Sequence, residues 1–344
     1  MTLQPFPGFK HFTTHHCVTG SLRHIYEFHD HPISEEMLLG LGSGVGFIYW
    51  HPKNSAPFLG GRANAGRPGE EGMEKAAGRC TGVQIELHHT SSAAKAEKTL
   101  LELLDGKQPV MLALDMGFLP YFDFQGQEYH FGGHVVVVCC LDIPNRQVLI
   151  ADRDKPLHVV SLESLAKARG SQYQPFPPHN AWYTFDFSQK RAPQSVEVWQ
   201  AIRQCAQGML EPPIANLGIR GIYKAAQCIV EWPKLMDETA LRLACFNAAI
   251  MIDARGGTGG GLFRTMYGHF LDEAVEITGE PKLREVAKQF LAVGECWDEV
   301  AGLLDRCYQA EKPQELLIEA SQRLPEIAAI EEPAWRELVT LTQG

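Results

Sequence analysis

Residues 134–154 read HVVVVCCLDIPNRQVLIADRD, and they decide the fold of the first half of the chain. Runs of β-branched residues bounded by turn formers are typical of strands. The segment IPNR (143–146) is typical of a short turn. We therefore predict an antiparallel hairpin of strands 134–143 and 147–152. The first strand is apolar on both faces, which indicates that it is covered on both sides.

The segments around this hairpin divide the chain into two parts. Residues 109–116 (PVMLALDM) and 180–187 (NAWYTFDF) are typical of further strands, and helical patterns follow Cys17, Ser92 and Ser161. From about residue 195 the apolar spacing is helical almost to the end. We predict the α+β class, with a domain of residues 1–190 containing an antiparallel sheet and an all-α domain of residues 191–344.

The composition excludes several classes of protein. The chain has 344 residues, of which 45% are hydrophobic and 21% charged, which is typical of a globular protein. A net charge of −10 argues against nucleic acid or an anionic membrane as the main partner. No apolar run is long enough for a membrane span or a signal peptide. We expect a cytoplasmic protein, whose nine cysteines are reduced thiols.

Two glycine-rich segments and many histidines raise the question of a cofactor or metal. GLGSGVGF (40–47) lacks the third glycine of a dinucleotide fingerprint, and GGTGGG (256–261) is not followed by the lysine of a phosphate-binding loop. We interpret both as structural loops, although the first could line a substrate groove. All but one of the 14 histidines precede residue 180, but none forms a pattern with metal-ligand spacing. We therefore expect no cofactor and no metal.

Cys17 differs from the other cysteines in its setting. It follows Thr-Thr-His-His and begins a predicted helix. The partial positive charge at a helix N-terminus lowers the pKa of a thiol, and a free backbone N–H there can donate to an oxyanion. The remaining cysteines have mainly apolar neighbours, which favours packing roles for them.

A thiolate nucleophile needs a base and an orienting group, and the predicted hairpin offers both. His134 begins the first strand and Asp152 ends the second, so the two lie close in the predicted register. Asp154 and Asp142 are alternative partners for the histidine. The competing interpretation is a structural histidine at a strand edge and an aspartate that caps a turn.

At these residues the chain resembles a known family. HHCVTGSLRHIYEFHDHPISEEMLLGLGSGVGF (15–47), GGHVVVVCCLD (132–142) and LIADRD (149–154) resemble proteins similar to butirosin biosynthesis protein H (BtrH), as does GTGGGLFRTMYGHFLDEA (257–274) in the second half. The resemblance implies a papain-like cysteine domain followed by a helical domain. The first half is also similar, more distantly, to bacteriocin-processing cysteine peptidases, whose triad matches Cys17, His134 and Asp152.

The resemblance leaves two features open. The peptidases carry an oxyanion-binding glutamine six residues before the cysteine, and this chain has His11 there. The backbone N–H of Cys17 would then be one oxyanion donor, with His11 or His16 as the second. In the helical domain, Arg264, Tyr267 and His269 could point at the cysteine site, or they could serve helical packing or a domain interface.

The function implied by the resemblance is acyl transfer. An acyl group would move from the phosphopantetheine thioester of an acyl carrier protein to Cys17, and from there to an amine of a small-molecule acceptor in biosynthesis. A cysteine amidase or peptidase of the same fold is one alternative, and a non-catalytic ligand-binding protein is another. The apolar helix predicted over residues 239–254 is of a kind that can bury a homodimer interface.

Overall fold

A computed structural model describes residues 3–52, 56–65, 71–124, 126 and 128–343. The chain forms two compact units. Met1–Glu35 and Gly82–Arg191 make up the first, which we call the cysteine unit. Glu36–Thr81 and Ala192–Gly344 make up the second, the helical unit.

The cysteine unit is built on a six-stranded antiparallel sheet. Its strands are β3 (Gln84–His88), β4 (Val110–Leu114), β5 (His134–Asp142), β6 (Gln147–Ala151), β7 (His158–Ser161) and β8 (Trp182–Asp186). They lie in the order β3-β8-β4-β5-β6-β7. The central position of β5 explains its apolar sequence, because Val135 through Cys139 are buried on both faces.

Three helices accompany this sheet: α1 (Cys17–Phe28), α4 (Ala93–Asp105) and α5 (Leu162–Gly170). Ser92 and Ser161 cap α4 and α5 by accepting hydrogen bonds from backbone N–H groups in the first turn. Leucines of α4 and α5 pack with the valines of β5 in one apolar core. The three helices begin where the serines and Cys17 predict, because local capping chemistry specifies a helix start.

The hairpin of β5 and β6 has the predicted turn but a changed register. Asp142 pairs with Gln147 and Cys140 with Leu149, as the turn requires, whereas Val137 pairs with Ala151. A β-bulge between Val138 and Cys140 shifts the pairing by one residue. His134 is the first residue of β5, and β6 ends at Ala151, one residue before Asp152.

The helical unit combines a long helical bundle with a short hairpin. Its helices are α2 (Glu35–Leu41, which begins at the last residue of the cysteine unit), α3 (Met73–Cys80), α6 (Ser195–Leu210), α7 (Gly218–Ile229), α8 (Trp232–Leu235), α9 (Glu238–Ile252), α10 (Arg264–Thr278), α11 (Lys282–Gln309) and α12 (Pro313–Leu341). The hairpin pairs β1 (Val45–Trp50) with β2 (Phe58–Arg62). Tyr49 of β1 also donates its backbone N–H to the carbonyl of Asn216, which precedes α7.

The predicted division into 1–190 and 191–344 differs from the two units in one segment. Residues 36–81 are grouped with the C-terminal helices rather than with the sheet. The physical reason is contact between residues distant in sequence: the guanidinium of Arg264 donates to the carbonyl of Gly46 at 2.7 Å. Local sequence patterns do not report such a contact.

The predicted α+β class, with an antiparallel sheet and many helices, is confirmed. The glycines of GLGSGVGF serve close packing inside the helical unit. A side chain at Gly40 would lie 2.2 Å from the ring of Phe270, and one at Gly42 would lie 2.3 Å from Met73. None of the helices among the described residues combines the length and the hydropathy that a membrane span requires.

Candidate active site

Cys17 is the first residue of α1 and is half-buried. His16 precedes it as the N-cap, and its Nδ1 accepts the backbone N–H of Thr19 at 3.4 Å. The carboxylate of Glu35 accepts the backbone N–H groups of His15 and His16 at 2.8 and 3.2 Å. These bonds hold the turn before the helix, and so they determine where the thiol lies.

His134 and Asp152 meet at one end of the sheet. His134 begins β5 opposite Leu114 of β4, and Asp152 directly follows the last residue of β6. His134 Nε2 lies 2.7 Å from Asp152 Oδ2, and both side chains are buried. The bulge in β5 does not separate them, because the pair lies just beyond the last pairing of β5 with β6.

The aspartate is itself held by two further donors. The hydroxyl of Tyr121 donates to Asp152 Oδ2 at 2.9 Å, and the backbone N–H of Arg153 donates to Oδ1 at 2.8 Å. A carboxylate with its oxygens occupied in this way has one orientation. It can therefore fix the tautomer and the ring plane of His134.

The thiol completes the arrangement. The side chains of His134 and His16 lie close enough to the Cys17 thiol to lower its pKa. Since Nε2 of His134 faces Asp152, Nδ1 is the ring nitrogen left for the thiol. The three residues predicted from the sequence are thus brought together in the order thiol, imidazole, carboxylate.

The groups shift one another's pKa. Burial raises the pKa of the Cys17 thiol, but His16 and His134 lower it by more, to well below its usual value. Burial lowers the pKa of His134, but Asp152 outweighs that effect and raises it to about 9. Burial raises the pKa of Asp152, whereas His134 and Tyr121 lower it to about 2. At neutral pH these directions favour a thiolate, an imidazolium and a carboxylate.

Two other thiols, those of Cys139 and Cys205, lie in environments that raise the pKa instead of lowering it. Burial raises the pKa of Cys139 to about 12 and that of Cys205 to about 11. Cys139 donates to the carbonyl of Leu149 inside the sheet, and Cys205 donates to the carbonyl of Val45. Both have the packing role that their apolar neighbours predict.

The alternative residues have other partners. Asp154 pairs with His158 at 2.7 Å, and Asp142 accepts two bonds from Asn145 in the turn. The Nε2 of His11 lies 2.6 Å from the carbonyl oxygen of Lys155, so this nitrogen is not free to act as an oxyanion donor. His16, which touches the thiol, remains as the side-chain candidate.

Arg264 and Tyr267 are packing residues of the helical unit. Arg264 is fully buried and forms a bidentate ion pair with Glu331, with N–O distances of 2.8 and 3.0 Å. Tyr267 is fully buried beside the thiol of Cys205. His269, two residues on, is exposed on α10.

The sequence patterns did not identify three supporting residues: Glu35, Tyr121 and Asp115. Asp115 follows β4 and is fully buried. Its carboxylate accepts the backbone N–H groups of Gly117 and Phe131 and the hydroxyl of Ser171, and it lies 2.9 Å from Nδ1 of His130. An aspartate directly after a buried strand was the only local signal.

Comparison with known proteins gives two family matches. Residues 16–153 match the model of butirosin biosynthesis protein H, N-terminal, and residues 163–338 match a domain of unknown function (DUF4872). No curated protein matches the chain. The first match begins one residue before Cys17 and ends one residue after Asp152, so it contains all three residues described above. The second covers half of the chain. With the two matches in chain order, the protein belongs to the BtrH-like family.

Proposed function

We propose that this protein is a cysteine-dependent acyltransferase with a papain-like first domain. It moves an acyl group from the thioester of an acyl carrier protein, through Cys17, to an amine of a small molecule. Membership of the BtrH-like family points to a biosynthetic enzyme. The observation that carries the proposal is the contact of Cys17 with His134, whose Nε2 lies 2.7 Å from Asp152.

In the first half-reaction, the Cys17 thiolate attacks the carbonyl carbon of the carrier's thioester. A tetrahedral oxyanion forms, and its collapse breaks the bond from carbon to the pantetheine sulfur. The imidazolium of His134 supplies the proton that the departing thiolate takes up. The acyl group is then held as a thioester on Cys17 and His134 is neutral.

In the second half-reaction, the amine attacks the acyl-Cys17 carbonyl. Neutral His134 accepts a proton from the attacking nitrogen, and Asp152 stabilises the imidazolium that results. Collapse of the second tetrahedral intermediate releases the amide and restores the thiolate. Forming an amide from a thioester is downhill, so this step drives the sequence.

The oxyanion needs donors at the start of α1. Cys17 is the first helical residue, and α-helical geometry leaves its backbone N–H without an intrahelical acceptor. His16 lies beside the thiol and supplies the second donor in this proposal. A pair of donors placed in advance is typically worth orders of magnitude in rate.

The experiment uses acyl-N-acetylcysteamine thioesters as donors and a panel of primary amines as acceptors. We expect an acyl adduct on the full-length protein, mapped to Cys17, and amide release when an amine is added. Cys17→Ser should give no adduct. Cys140→Ser, at a half-buried cysteine of the same unit, is the matched control and should react normally.

Two results would contradict acyl transfer in different ways. Release of the free acid at one rate, with or without amine, would identify a hydrolase that uses the same thiol. An unreactive Cys17, labelled by iodoacetamide no faster at neutral pH than an unfolded-chain thiol, would favour a ligand-binding protein.

A further inference from the structure

A series of aromatic side chains leads away from the imidazole of His134. Phe122 meets that ring edge-on at a centroid distance of 5.6 Å. Phe124 lies 5.9 Å from Phe122 with nearly parallel rings, and Tyr129 lies 4.8 Å from Phe124. We call Phe122, Phe124 and Tyr129 the aromatic row. All three side chains are only half-buried.

The segment that carries the aromatic row is held at both ends and near its middle. The buried carboxylate of Asp115 accepts the backbone N–H groups of Gly117 and Phe131, one from each end. Tyr121 donates to Asp152, and its ring stacks on His158 at 3.9 Å. The same tyrosine that orients the aspartate therefore fixes the position of Phe122.

The inner and outer parts of the aromatic row differ in their packing. Phe122 packs against the apolar core of the sheet and so has a structural partner. Phe124 packs on Phe122 and on Tyr129, and both Phe124 and Tyr129 keep part of their surface open. Single exposed apolar residues are common, but a contiguous apolar surface next to reactive groups is typical of a ligand site.

Two acidic residues flank the aromatic row in the sequence. Asp123 separates Phe122 from Phe124 in the chain, and Glu128 directly precedes Tyr129, and both acidic side chains are exposed. Glu128 accepts the hydroxyl of Tyr173 at 2.9 Å and lies 3.6 Å from Nε2 of His130. An acyl group that carries a carboxylate would meet like charge at this surface. An uncharged apolar chain or an aryl group could pack on the rings without that repulsion.

We infer that the aromatic row is the acyl-binding subsite, and that the acyl group is apolar and uncharged, with several carbons or an aromatic ring beyond the carbonyl. The inference rests on the proposed function, because the carbonyl carbon must lie between Cys17 and His134. The tail of the acyl group then continues along the rings. Burial of each further methylene against them favours the longer donor.

The test compares N-acetylcysteamine thioesters of acetate, octanoate, phenylacetate and succinate on the full chain. The rate of Cys17 acylation is followed by intact mass. We expect octanoyl and phenylacetyl donors to react at least about tenfold faster than acetyl, the ratio that corresponds to roughly 1.4 kcal/mol. Succinyl should be the slowest of the longer donors.

Two variants connect the preference to the aromatic row. Phe124→Ala and Tyr129→Ala should each reduce the octanoyl-to-acetyl ratio several-fold. Leu87→Ala removes an apolar side chain that is more exposed (48%) from β3, at the opposite edge of the sheet from β7, and should leave the ratio unchanged. Because the measure is a ratio within one protein, a general loss of folded material does not imitate the effect.

The outcomes separate the two proposals. Adducts from all four donors at similar rates, a preference for succinyl, or an unchanged ratio in both alanine variants would overturn the subsite while leaving acyl transfer intact. No adduct from any donor would overturn both.

Discussion

Two imidazoles, those of His16 and His134, act on the Cys17 thiol. His134 is oriented by Asp152, and His16 is held as the N-cap of α1 by Thr19. Both lower the pKa of the thiol against the effect of burial. We therefore expect His16, the residue before Cys17, to contribute as much to thiolate formation as His134 of the sheet.

We predict that His16→Asn raises the pKa of Cys17. Asparagine is a good N-cap, so α1 should still begin at the same residue, while the imidazole is lost. The thiolate then forms only at higher pH, and the midpoint of iodoacetamide labelling against pH moves upward. His15→Asn, at the exposed neighbouring histidine, is the control and should keep the native midpoint. An unchanged midpoint in His16→Asn would show that His16 does not lower the pKa of Cys17.

The three candidate site residues could be singled out from the sequence because each lies at the end of an element with a clear pattern. Cys17 begins an amphipathic helix, His134 begins a β-branched strand, and Asp152 follows another. Element ends that carry polar residues next to apolar runs are readable without a structure. The sequence could not decide whether His11 is an oxyanion donor, because its contact with the carbonyl of Lys155 joins residues far apart in sequence.

At the element scale, the segment between β4 and β5 supports the site. Asp115 holds both ends of this segment through backbone N–H groups, and the segment carries Tyr121 to Asp152. Burial raises the pKa of Asp115, but Ser171 and the Gly117 N–H lower it by more, so the carboxylate stays charged near neutral pH. A charged acceptor strengthens each of its hydrogen bonds.

We predict that Asp115→Asn loosens residues 116–133. The amide has one acceptor oxygen where the carboxylate has two, and each unsatisfied buried donor costs about 1–3 kcal/mol. Hydrogen exchange in peptides from this segment should become faster than in the native protein. Asp142→Asn, at a half-buried aspartate that ends β5 and accepts from Asn145, is the matched control. Native exchange rates throughout 116–133 would show that Asp115 does not hold the segment.

The β5–β6 hairpin shows where prediction from the sequence ends at this scale. The turn at 143–146 specifies the pairing of Asp142 with Gln147, but the bulge beside Cys139 changes the pairing farther along. Bulges come from the packing of a strand against its neighbours, and β5 lies between β4 and β6. The sequence of one hairpin does not contain that information.

At the scale of the whole molecule, each unit has its own internal bonding. In the helical unit, Glu331 is fully buried and accepts hydrogen bonds from Arg264, Trp297 and Trp335. Arg264 in turn donates to Gly46, which lies in the segment that local patterns assign to the other domain. Long-range contacts of this kind explain why the 36–81 segment was not predictable as part of the helical unit.

We predict that Arg264→Met lowers the free energy of unfolding of the helical unit by about 3–5 kcal/mol, because it leaves the Glu331 carboxylate buried without its counter-charge. Urea unfolding followed by tryptophan fluorescence is the measurement, since Trp297 and Trp335 report on this unit directly. Arg264→Met combined with Glu331→Gln should recover part of the loss. Native stability in the single variant would contradict a structural role for Arg264.

The most direct test of the central claim is the intact mass of the protein after a short exposure to an acyl thioester. We predict a single added acyl group, located on Cys17 by peptide mapping, that disappears when an amine is supplied and never forms in Cys17→Ser. An adduct of the same size in Cys17→Ser, or a native protein whose mass does not change, would contradict it.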